Sequence, residues 1–140
     1  MVRALLASLV AVAPVLVVAL CGAGVQAHHA IAAGYDTAQP VTLEGVVTAF
    51  HYVNPHPFVE IQVTAADGRS EPWRLEFDNL RELAAVGMSA DTFKVGEQVF
   101  VTGSRARDRS RSAYVRSLER RADGFLYEQV GSSPRVRRTP

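Results

Sequence analysis

The stretch Phe58-Val59-Glu60-Ile61-Gln62-Val63-Thr64, followed by Asp67-Gly68 and then by Trp73-Arg74-Leu75-Glu76-Phe77, alternates apolar and polar residues on both sides of a turn dipeptide. Successive side chains of an extended strand point to opposite faces, so a period of two marks a half-buried strand. Val59, Ile61 and Val63 share the inner face of the first run, and Trp73, Leu75 and Phe77 that of the second. Glu60, Gln62, Arg74 and Glu76 face outward. Asp-Gly between two such runs is a hairpin signal, because glycine supplies the positive φ of a tight turn.

Working outward, residues 41–53 (VTLEGVVTAFHYV) are rich in β-branched and aromatic residues, and Gly45 in the middle predicts a bulge or sharp bend. Asn54-Pro55-His56-Pro57 breaks that strand, since two prolines remove two donors. Beyond the hairpin the period changes. Asn79 with Glu82 three residues on is a capping box, Leu80, Leu83 and Ala84 share a helical face, and Gly87 is placed to end the helix. A turn at 94–97 leads to a strand at 98–102, a polar loop follows at 104–112, and 113–120 is a fifth strand of imperfect phase. Asp123-Gly124 then turns the chain into a short extension at 125–128. The expected fold is therefore mainly β: a small five- to six-stranded OB-like barrel with one short helix between strands 3 and 4. Another small barrel or roll of the same strand count is the alternative.

The chain has 140 residues, 48% apolar and 21% charged, which fits one small domain. Residues 1–27 read as a signal peptide: Arg3 is followed by an uncharged apolar run, and Val25-Gln26-Ala27 carries small residues where a peptidase reads them. Pro14 inside the run argues against a membrane anchor, and the bulky Leu20 before Cys21 argues against a lipoprotein. Cleavage after Ala27 is expected, with a periplasmic or secreted product. Residues 28–40 form an extended arm, 41–130 the barrel, and 131–140 a disordered basic tail. The product lacks the chain's one cysteine, so a metal would need His or carboxylate ligands. Residues 28–104 hold 4 basic and 10 acidic side chains and residues 105–140 hold 10 and 4, so the two segments should attract each other, or the basic one should meet an anionic surface.

His28-His29 directly after the export signal, Tyr35-Asp36, residues 41–47 (VTLEGVV), Asn54-Pro55-His56, Asp67-Gly68, Trp73 with Glu76, Val95-Gly96-Glu97 and Asp123-Gly124 occur in an order that resembles a family of small exported bacterial proteins catalogued as a domain of unknown function. The resemblance covers nearly all of the exported chain before Gly131. Tyr35 stands where that family has phenylalanine, and the arginine-rich 105–111 replaces a more ordinary turn. The resemblance implies an exported β-barrel and carries no established activity.

All four histidines lie between residues 28 and 56. Cleavage would make His28 the N-terminus, where its α-amine and imidazole can chelate Cu(II) or Zn(II), with His29, His56 or, as a substitute, His51 completing the set. A solvated terminus is the competing reading, and a turn-shaping role competes for His56. Arg105, Arg107, Arg109 and Arg111 form a candidate ligand loop for anionic polysaccharide or lipid, or for a partner protein, with a solvated loop as the alternative. Nucleic acid is not expected outside the cytoplasm. Trp73 is expected in the core, and Glu60, Glu76 and Asp78 on solvated strand faces. No phosphate loop, nucleophile elbow or His-Glu-x-x-His motif is present, so the sequence reads as a non-enzymatic binding or accessory protein. The alternative is an envelope interaction protein that uses the Arg-rich loop and tail.

Overall fold

The hairpin is where the alternation put it. In the computed structural model, which describes residue 31 and residues 33–138, Phe58–Thr64 and Ser70–Glu76 pair antiparallel with Ile61 opposite Trp73 and Val59 opposite Leu75. We call these strands β2 and β3. Gly68 has φ 81° and its N–H donates to the Ala65 carbonyl (2.8 Å), closing the turn that Asp-Gly specifies. Val59, Ile61 and Leu75 are fully buried and Trp73 is 6% exposed. Each such aliphatic contributes roughly 1.5–3 kcal/mol by leaving water.

The preceding strand, β1 (Tyr35–His51), is longer than the sequence implied and serves two neighbours. Its first part pairs with β4 (Gln98–Ala106) and its second with β2, both antiparallel. Tyr35 to Pro40 thus belong to a strand, whereas an extended arm over 28–40 was expected; Tyr35, Asp36 and Pro40 pair with β4, and between them the Ala38 N–H donates to the Asp36 carboxylate (3.1 Å). The bulge falls at Thr48, between the registers of Val47 and Ala49, not at Gly45. Gly45 has a different role: a Cβ there would lie 2.6 Å from the Gln62 carbonyl oxygen, so β1 and β2 approach this closely only over a glycine.

The helix α1 (Leu80–Ala85) starts on Asn79, whose side chain accepts from the Glu82 N–H (3.1 Å), and stops at Gly87 (φ 82°). Met88 N–H to Leu83 O and Gly87 N–H to Ala84 O, both 3.0 Å, form a Schellman cap. The predicted apolar face is narrower than expected: Leu83 is buried but Ala84 is exposed. β5 (Ser112–Arg120) pairs with β4, and the register slips between Thr102 and Gly103 so that Arg116 is the extra residue. This bulge is why Tyr114, Val115 and Leu118 are out of phase yet all buried.

β6 (Phe125–Val130) and β7 (Ser133–Arg138) complete one seven-stranded sheet, against an expected five or six strands. The tail expected to be disordered is largely β7. It is held by its pairing with β6, by Val136 packed against the core and by the Arg137–Glu128 ion pair. The pairings run β1–β2–β3–β5–β4–β1, with β3 and β5 parallel, and so return to the strand where they began. An aromatic cluster fills the interior, with Phe93 5.0 Å from Phe50, 5.9 Å from Phe77 and 5.5 Å from Phe125.

Candidate functional site

β1 ends at His51 and the chain crosses to β2 through Tyr52 to Pro57, with a cis Asn54–Pro55 bond. The loop is pinned at both ends. The Tyr52 hydroxyl donates to the Met88 carbonyl (3.0 Å), and the Phe77 N–H donates to the Pro57 carbonyl (2.9 Å). His56 Nδ1 is buried there with no hydrogen-bond partner. The His51 ring stacks on Phe58 with centroids 4.3 Å apart, and its Nε2 is 3.7 Å from the Glu60 carboxylate, beyond hydrogen-bond reach. Arg74 covers Phe58 from the β3 side, its guanidinium carbon 3.5 Å from the ring centroid, so imidazole, phenyl and guanidinium form one stack across three strands. His28 and His29 lie outside the described residues, as does the predicted signal peptide. Among the described residues no three His, Cys, Asp or Glu side chains are grouped to hold a metal ion.

The four loop arginines are dispersed. Arg105 lies over the Trp73 ring (5.4 Å), Arg107 pairs with Asp36 (3.7 Å), Arg111 pairs with Glu71 (2.7 Å), and Arg109 is exposed at φ 63°. Two of them thus spend their charge on acidic residues of the first half of the chain. The expected attraction between the halves is visible in these pairs and in Arg120–Glu97 (2.6 Å).

Around the strand ends the carboxylates behave differently from one another. Glu60 stays half exposed, but Glu76 accepts from the Tyr35 hydroxyl (2.8 Å), and Asp78, expected on a solvated face, is 1% exposed. Asp78 tolerates burial because it accepts from Tyr114 Oη (3.3 Å), Gln129 Nε2 (3.1 Å) and the Asn79 N–H (3.0 Å). Burial raises the Tyr35 phenol to about 12 and also pushes the Tyr114 and Tyr127 phenols up, so all three remain donors at neutral pH.

A second buried polar centre is Arg120, which sends Nε and Nη2 to the two oxygens of Asp123 (2.9 and 2.7 Å) and Nη1 to Glu97 and the Thr92 carbonyl (both 2.6 Å). Sequence reasoning missed both centres. For Arg120 a signal was there, an arginine three residues before the turn aspartate. For Asp78 there was none.

Two clefts open on the outer face of β1, β2 and β3. One, of about 250 Å³, is lined by Thr48, Glu60, Trp73, Arg74 and Arg111; the other, of about 260 Å³, by Glu44, Val46, Thr64 and Gln98; Gln62 lines both.

These features define a small, mainly β protein with a polar outer sheet face and a proline-bounded histidine loop. Residues 15–115 match the family described as a family of unknown function, DUF6152, and the chain belongs to that family. No curated protein and no solved structure matches the chain.

Proposed function

We propose that this chain is an exported, non-enzymatic binding or accessory module built on an OB-like barrel, and that its histidines bind Cu(II) or Zn(II). The barrel reading is supported by the circuit of pairings through β1 to β5, with α1 between β3 and β4, which is the order of that fold; β6 and β7 extend it. The observation that carries the metal reading is His56 Nδ1, a buried ring nitrogen without a hydrogen-bond partner on a backbone restrained by a proline on each side. His28 and His29 supply the other donors once cleavage after Ala27 frees the His28 amine, whose ordinary pKa near ~8 lets a metal displace its proton at neutral pH. His51 is the substitute: its Nε2 is likewise buried without a hydrogen-bond partner, but its ring is stacked on Phe58 and no proline flanks it. The non-enzymatic reading is supported by Glu76 and Asp78, which accept structural hydrogen bonds.

The reading as an envelope interaction protein that grips anionic polysaccharide or lipid is weakened by the pairing of Arg107 and Arg111 with Asp36 and Glu71. The test is metal titration of protein starting at His28 against the same protein with one residue added before it. The extension is expected to weaken Cu(II) binding by more than about tenfold, or about 1.4 kcal/mol. Equal affinity for the two forms overturns the metal reading.

A further inference from the structure

We infer that the outer face of β1, β2 and β3, together with Gln98 at the start of β4, is a binding groove for a neutral, hydroxyl-rich ligand, a stretch of uncharged oligosaccharide. The two clefts meet at Gln62, and each is somewhat smaller than the roughly 300–1,000 Å³ typical of small-molecule sites, which suits a shallow groove that takes an extended ligand along its length. The polar groups that line them are held in place by neighbours while keeping capacity to bond.

Arg74 lies flat on Phe58, and among the described residues its guanidinium has no hydrogen-bond acceptor, so its donors are oriented and unspent. Directly across the register from it stands Glu60, whose carboxylate accepts no hydrogen bond from the described residues. Gln62 accepts from the Ser70 hydroxyl (2.8 Å) through Oε1, which orients the amide and leaves its NH₂ to donate. Gln98 donates through Nε2 to Glu44 (2.6 Å), which leaves its carbonyl to accept. Donor, acceptor, donor and acceptor therefore follow one another along the face.

A sugar hydroxyl both donates and accepts, so neighbouring hydroxyls on a ring are matched by this alternation, whereas a phosphate or carboxylate accepts only. The charge balance points the same way. Glu44 and Glu60 stand against Arg74, and Arg111 is already paired with Glu71, so the groove leans slightly negative and offers an anionic ligand no net attraction. Pro72 and the 42%-exposed Val46 provide an apolar floor for the C–H faces of a ring. No histidine lines either cleft; Glu60 and Arg74 adjoin the His51–Phe58 stack, but the metal reading rests on His28, His29 and His56 and does not need them.

The chain has one tryptophan, Trp73, a largely buried residue at the wall of the first cleft, so its emission reports from the core side and calorimetry supplies the direct readout. Protein starting at His28 is titrated with maltohexaose, cellohexaose and chitohexaose, and separately with dextran sulfate, following Trp73 emission and heat by calorimetry. At least one neutral hexasaccharide is expected to bind saturably, with an affinity unchanged as salt rises from about 0.05 to 0.5 M, a range over which screening weakens ionic contacts. Glu60→Gln and Arg74→Ala are each expected to weaken it about tenfold, while Arg109→Ala leaves it unchanged. All three side chains are on the surface, and unaltered melting temperatures establish that these variants are folded. No saturable response to any of the three neutral sugars overturns the inference. So does binding confined to dextran sulfate with steep salt dependence, or parental affinity in both groove variants.

Discussion

Asp78 gathers donors from three segments, the hydroxyl of Tyr114 on β5, the amide of Gln129 on β6 and the backbone N–H of Asn79. Replacing it with alanine leaves the buried Tyr114 hydroxyl without its acceptor and frees the part-buried Gln129 amide. Asp78→Ala is therefore expected to cost about 3 kcal/mol in urea unfolding, and Asp78→Asn, which keeps an acceptor oxygen, clearly less. Equal losses would show that the hydrogen bonds are not what matters there. Gly103 presents a steric case: a Cβ would sit 2.6 Å from the Tyr114 carbonyl oxygen, a backbone atom that cannot swing away. Gly103→Ala is expected to lower stability by about 1–3 kcal/mol, whereas Gly68→Ala acts only through its positive φ. Trp73, Leu75 and Val59 were legible as core because strand periodicity is local. Asp78 was not, because its partners are brought to it from 36 and 51 residues away in sequence.

Among the elements, β2, β3 and α1 were readable because each carries its own signal, an alternating face, a turn dipeptide or a cap. β7 was not. Its Gly, Ser, Pro and Arg composition gives no period, and only its pairing with β6 makes a strand of it. An edge strand of this kind tolerates Pro134 and the charged Arg135 and Arg137, which discourage further pairing. Because β7 buries only Pro134 and, in part, Val136, truncation after Gly131 is expected to lower the melting temperature by several degrees while leaving the β-sheet circular dichroism of β1 to β5 intact. Loss of all sheet signal would mean that β7 is needed for the circuit itself. The histidine loop was legible in part: proline spacing predicted a break after β1, but the stacking of His51 on Phe58 and the burial of His56 Nδ1 depend on how β1 and β2 are paired.

At the scale of the molecule, the segregated charges meet in ion pairs that add to the strand pairing and shared core joining the two segments. Arg120, with a side chain 9% exposed, links Glu97 before β4 to the turn after β5. Arg120→Met is expected to cost about 2–3 kcal/mol, less than the ~3–5 kcal/mol of a fully buried pair because Asp123 and Glu97 keep access to water. The tyrosines set the alkaline limit. Phenols ordinarily titrate near ~10, and here burial raises Tyr35 to about 12 and shifts Tyr114 and Tyr127 in the same direction. Raised folded-state values mean that the unfolded chain loses protons first, so stability is complete below about pH 10 and falls as pH rises through the folded-state values. The melting temperature is expected to drop between pH 10 and 12, and Tyr114→Phe to make that drop shallower; a flat profile would contradict it.

The sequence by itself determined the local facts: which residues alternate, where the Asp-Gly and capping signals fall, and that the chain is mainly β with one short helix. Those depend on backbone preferences and on neighbours a few positions away. Only the tertiary structure decided that Tyr35 reaches Glu76, that Asp78 and Arg120 are buried with their partners, and that the outer faces of β1, β2 and β3 line up as a groove. Such contacts depend on register and closure between strands far apart in the chain, where a shift of one residue would turn every side chain to the other face.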